Sequence, residues 1–116
     1  MQIPTMEDIP TRVSQLTNDS GYLISVTETV SGTSPVITAV ANHHYICGEV
    51  TSLSFTPSMS GICDVRFTSG STATTLTVPN TVKWPAWFNP ASLEANMIYE
   101  LNILDGVYGA VMAWLI

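Results

Sequence analysis

After residue 21 the chain breaks into short runs in which apolar and polar residues alternate, each closed by Gly, Ser or Pro. That period of two is the strongest constraint on its fold, because successive side chains of a strand point to opposite faces. In "YLISVTETV" Ile24, Val26 and Val30 share one face, and Ser25, Thr27 and Thr29 the other. "TSLSFTP" sets Leu53 and Phe55 against Ser52, Ser54 and Thr56, and "ICDVRF" sets Cys63, Val65 and Phe67 against Asp64 and Arg66. "TTLTVP" places Leu76 and Val78 inward. The intervening "SGTSP", "SMSG" and "TSGSTA" are turn clusters, and stretches with helical periodicity are nearly absent. Short strands at fairly even spacing predict an all-β domain, a small antiparallel β-sandwich or jelly-roll-like knob over residues 22–116.

The last strand pair carries the most specific local signal. Asp105-Gly106 lies between two apolar runs, and Asp-Gly favours a type I′ turn, whose two central residues both need positive φ. A two-residue turn there sets Leu104 opposite Val107, and an apolar face, predicted to be buried, then pairs Ile103 with Tyr108, Leu101 with Ala110, Tyr99 with Met112 and Met97 with Trp114. The opposite face then holds Asn102 with Gly109 and Glu100 with Val111. The C-terminal run "VYGAVMAWLI" is apolar on both faces, so it is expected to lie centrally or to be covered by a neighbouring chain. Residues 82–97 show no alternation and contain Pro85 and Pro90. They are predicted to form a connection, with one helical turn available in "PASLEANM".

Composition excludes several functions. Only 10% of residues are charged, the formal charge is −6, and the cations are Arg12, Arg66 and Lys83. Phosphate backbones demand clustered cations, so nucleic acid is not an expected partner. No apolar run approaches the length of a membrane span. Residues 1–9 have neither a basic nor an apolar leader segment, so the expectation is folding in a reducing cytosol. Cys47 and Cys63 can pair, but two buried thiols are the default reading.

Sites for chemistry are sparse. His43 and His44 are adjacent and must face opposite sides of a strand, while Cys47 and Glu49 share the His43 face without forming a recognisable ligand pattern. No G-x-S-x-G, phosphate-binding glycine loop or catalytic triad context is present, and nothing brings Asp64, Glu100 and Asp105 together. No catalytic, metal-binding or cofactor-binding residue is therefore assigned, and the chain is expected not to be an enzyme. Trp84, Trp87 and Phe88 form the one aromatic cluster. They suit core packing or a subunit contact, or recognition of a ligand such as a sugar ring.

The segment "VSQLTNDSGYL" (13–23) resembles a joint of phage fibre proteins, through Val13, Leu16, Asn18, Asp19, Gly21, Tyr22 and Leu23. Residues 62–116, through "TLTVP", "WPAWFNP" and "YELNILDGVYGAVMAW", are similar to end domains of phage fibre and decoration proteins. The resemblance implies a non-enzymatic virion surface protein, a homotrimeric head fibre or capsid decoration protein. The alternative it implies is a carbohydrate- or receptor-binding tail-fibre tip or baseplate module recognising a bacterial surface glycan through Trp84, Trp87 and Phe88, made, like the virion protein, in the cytoplasm of the bacterial host. Residues 1–21 would then be an attachment peg and joint, with Ile3, Pro4, Met6 and Ile9 gripping another virion protein. Val13 and Leu16, three apart and so on one helical face, would meet their copies at the trimer axis, with Trp114 and Ile116 as further trimer contacts.

Overall fold

The computed structural model describes residues 25–116, which hold eight strands and no helix. They are β1 (Val26–Val30), β2 (Val36–Thr38), β3 (His43–Glu49), β4 (Ser52–Thr56), β5 (Ile62–Ser69), β6 (Thr75–Thr77), β7 (Met97–Leu104) and β8 (Tyr108–Leu115). Two sheets result, ordered β1-β3-β5-β7-β8 and β2-β4-β6. The expected N-terminal helical turn, attachment peg and joint lie outside the described residues.

The all-β, two-sheet expectation holds. The antiparallel, jelly-roll-like arrangement does not. β1, β3 and β5 are mutually parallel, as are β2, β4 and β6. Only β5-β7 and β7-β8 are antiparallel. The chain winds in three coils, each giving one strand to each sheet, and ends in a hairpin that widens the first sheet.

Turn chemistry explains the difference. Among the described residues only Asp105 (φ 54) and Gly106 (φ 71) are adjacent with positive φ. The β3-β4 link is Val50-Thr51, two β-branched residues that disfavour such a turn. Val50 instead points into the core, 1% exposed, and the chain turns a corner into the other sheet. Corners of successive coils stack. Thr51 N–H donates to the Thr33 carbonyl (2.8 Å), Thr75 N–H to the Thr51 carbonyl (2.9 Å) and the Thr74 hydroxyl to the Val50 carbonyl (2.6 Å).

One core lies between the sheets. Leu53 and Phe55 from the smaller sheet meet Cys63, Val65, Phe67, Leu101 and Ile103 from the larger one. The inward sets predicted for β4 and β5 are those observed, because alternation sorts faces equally well in parallel and antiparallel sheets. Cys47 and Cys63 are buried free thiols, and burial raises the pKa of both. Tyr45 is in register with Val65, so the two cysteines sit about four residues, roughly 13 Å, apart along their strands. That is beyond disulfide reach.

The stretch 90–96 forms turns and bends rather than a helix, and Met97 already belongs to β7. Asn89 accepts from the Ala91 N–H through its side chain (3.0 Å) and from the Ser92 N–H through its carbonyl (3.1 Å).

Candidate functional site

The β7-β8 turn forms as predicted, with Val107 N–H donating to the Leu104 carbonyl (3.0 Å). The ladder beyond it does not follow the predicted register. Leu104 pairs with Tyr108, Leu101 with Val111, Tyr99 with Ala113 and Met97 with Leu115. The cause is Lys83. Its N–H donates to the Val107 carbonyl (2.6 Å), and its carbonyl accepts from Gly109 N–H (2.8 Å). Val107 is drawn out as an extra residue, and a slip of one turns every following side chain to the other face.

The slip sends the small residues inward and the large ones outward. Gly109, Val111 and Ala113 face the core, while Tyr108 (59% exposed), Met112 (47%) and Trp114 (43%) face out. Ile62 and Leu104, each in register with its neighbour in the row Ile62–Leu104–Tyr108, extend this apolar surface. A cavity of about 300 Å³ between Ile62, Leu104, Tyr108 and Ala110 opens onto it. Among the described residues β8 ends its sheet, so of the two expectations for it, a central place or cover by a neighbouring chain, the central place does not hold. Ile116 continues the outer face and Leu115 stands on the opposite one, and both are strongly exposed. Of the predicted subunit-contact residues, Trp114 and Ile116 lie here, and Val13 and Leu16 lie outside the described residues, as do Ile3, Pro4, Met6 and Ile9.

Charges on this outer face are paired. Arg66 donates to Glu100 (2.9 Å), and its guanidinium carbon stands 6.0 Å from the Trp114 ring centroid, within reach of a cation–π contact. His44 Nδ1 lies 2.7 Å from Asp64 Oδ1, and Asp64 is buried. His43 turns to the opposite face, as expected, and meets Glu28 (2.5 Å). The Asp105 carboxylate accepts from Gly61 N–H (2.9 Å). Asp64, Glu100 and Asp105 are thus each engaged by a different partner. A shift in the β3-β5 register between Ile46 and Glu49 breaks the simple face sharing expected of Cys47 and Glu49. Among the described residues no three His, Cys, Asp or Glu side chains form a metal-sized cluster.

The aromatic cluster divides. Trp84 and Phe88 are packing residues, their ring centroids 5.1 Å apart, and Phe88 is buried. Phe88 meets Tyr99 edge-on (6.1 Å) and Tyr99 stacks on Phe67 (5.6 Å), so the 82–97 connection is anchored to the core through a chain of aromatic contacts. Only Trp87 is broadly exposed, at 64%. The nearby cleft of about 290 Å³ is lined by Leu76, Val78, Val82, Trp84 and Pro90, with Asn80 its sole polar side chain. Ligand sites orient what they bind through several placed polar groups, and this cleft offers one.

Trp84 sits directly over Gly109. A Cβ there would fall 2.5 Å from ring atoms Cε3 and Cζ3. Gly→Ala at an ordinary strand position stabilises or is neutral through the unfolded chain. Gly109→Ala is instead expected to lower stability by about 1–3 kcal/mol, as overpacking does. Urea unfolding followed by tryptophan fluorescence checks both the sign and the displacement of Trp84.

No protein-family model, curated protein or solved structure matches the chain.

Proposed function

We propose that this chain is a non-enzymatic structural protein of a phage virion surface, a short head-fibre or capsid-decoration module whose β-knob assembles with copies of itself. The observation that carries the assembly is the β8 edge. Among the described residues it is an uncharged edge strand that no other segment pairs with beyond Gly109, with Met112, Trp114, Leu115 and Ile116 exposed along it. Natural edges are guarded by charges, prolines or covering elements, and a bare one marks a place where another chain belongs. The engaged state of Asp64, Glu100 and Asp105 supports a non-catalytic role. The virion assignment rests on the resemblance of residues 13–23 and 62–116 to phage fibre and decoration proteins, which also implies three copies.

Deleting residues 1–12 is expected to leave a folded, self-associating knob that no longer co-purifies with virus particles. Undiminished incorporation would overturn the attachment reading. The glycan-binding alternative rests on Trp87, and glycan-array binding that is lost in Trp87→Ala would favour it over pure display.

A further inference from the structure

We infer that β8 pairs antiparallel with β8 of a second copy about a two-fold axis at Ala113, an inference that rests on the self-assembly reading above. Backbone parity comes first. Gly109 N–H points away from β7, to Lys83, and Ile116 N–H points inward, to the Asn96 carbonyl (3.2 Å). Antiparallel ladders alternate, so the N–H and C=O groups of Val111, Ala113 and Leu115 face the open edge. Lys83 covers the strand at Gly109 and limits further pairing to the segment beyond it.

One register uses every uncovered position. With Ala113 opposite Ala113 of the second copy, Val111 meets Leu115 and Leu115 meets Val111, each pair exchanging both backbone bonds. A register centred on Val111 would drive the second copy's Ala113 against the position that Lys83 occupies. The side chains agree with the backbone. Alanine, the smallest apolar side chain of the three, falls on the axis. Leu115, 82% exposed, is covered by valine. On the outer face Met112 lies in a close, non-hydrogen-bonded pair with Trp114 of the second copy, a sulfur–aromatic contact.

Charge selects the partner. β8 carries no ionisable group except the Tyr108 phenol, so self-pairing brings no like charges together in an acidic chain. The opposite edge of the same sheet, β1, presents Thr27, Glu28 and Thr29 and would set a carboxylate against the apolar strand. Antiparallel pairing of identical strands is isologous and closes at two copies, against the three implied by the fibre resemblance.

The test is the solution mass of the full chain by light scattering, alongside Ala113→Pro and Leu115→Asp. Proline at 113 removes an outward donor without touching a β7 bond, and Leu115 is too exposed to matter to the fold. The expected result is a wild-type dimer and two monomeric variants with unchanged far-UV circular dichroism. Should proline disturb the strand, Leu115→Asp decides alone. A trimer overturns the two-fold axis and leaves self-assembly standing. A wild-type monomer at about 100 µM overturns both. A dimer that survives Leu115→Asp overturns the β8 contact.

Discussion

Phe67→Ala is expected to lower the unfolding free energy by about 3–5 kcal/mol, the range for removing a buried aromatic ring. Phe67 is fully buried on β5, the middle strand of the larger sheet, with its ring stacked on Tyr99 at 5.6 Å. Tyr99 in turn contacts Phe88 and accepts a hydrogen bond from Glu94 N–H through its hydroxyl (2.9 Å). Deleting the Phe67 ring leaves a void under Tyr99 and loosens the anchor of the 82–97 connection as well as the core. Small domains have about 5–15 kcal/mol of stability in total, so the loss takes a large share of it. Chemical unfolding monitored by circular dichroism measures it, with Trp87→Ala as the comparison. Trp87 is the exposed member of the same aromatic series, and its removal should stay within about 0.5 kcal/mol. Equal effects from the two variants would show that the aromatic series does not anchor the core.

The inward faces of β4 and β5 were readable because each depends only on alternation within one strand. Leu53 with Phe55, and Cys63 with Val65 and Phe67, stand where the pattern puts them. Pairing direction was not readable, because it depends on what a turn does rather than on its being a turn. Val50-Thr51 looks like a hairpin connection by length, yet two β-branched residues cannot supply its φ angles, and the chain turns a corner. The corner residues Thr33, Thr51 and Thr75 recur at unequal intervals, so no repeat is visible in the sequence.

The candidate surface was half legible for a similar reason. Asp105-Gly106 determined the turn, and the turn formed. The register beyond it was decided by Lys83, whose backbone bonds to Val107 and Gly109 carry no mark in side-chain chemistry. The consequence is large. Tyr108, Met112 and Trp114 change from expected core residues, or in the case of Trp114 a contact shared between core and interface, to an outer face with Ile62 and Leu104. Trp84 shows the converse. Its sequence context leaves packing and ligand recognition both open, and the space that lets it pack comes from a glycine on β8, Gly109.

Phe55→Ala is expected to destabilise by about 3–5 kcal/mol and to do so throughout the domain rather than in its own sheet. Phe55 is fully buried on β4, the central strand of the smaller sheet, and meets Tyr45 of the larger sheet edge-on at 6.1 Å. The Tyr45 hydroxyl accepts from Val40 N–H (2.9 Å), so the same contact steadies the β2-β3 connection. Strand ladders hold each sheet together internally, whereas the join between sheets depends on side chains such as Phe55. Because each coil contributes one strand to each sheet, neither sheet can come apart without unravelling the other. The tryptophans provide a remote reporter. Trp84, Trp87 and Trp114 all lie in the final connection and β8, outside the smaller sheet. Urea midpoints read by tryptophan fluorescence and by far-UV circular dichroism should therefore coincide in the wild type, as two-state unfolding requires, and fall together in Phe55→Ala. A fluorescence midpoint that stays put while the circular dichroism midpoint falls would mean that the sheets unfold separately, and would overturn the interleaved coil as the source of cooperativity.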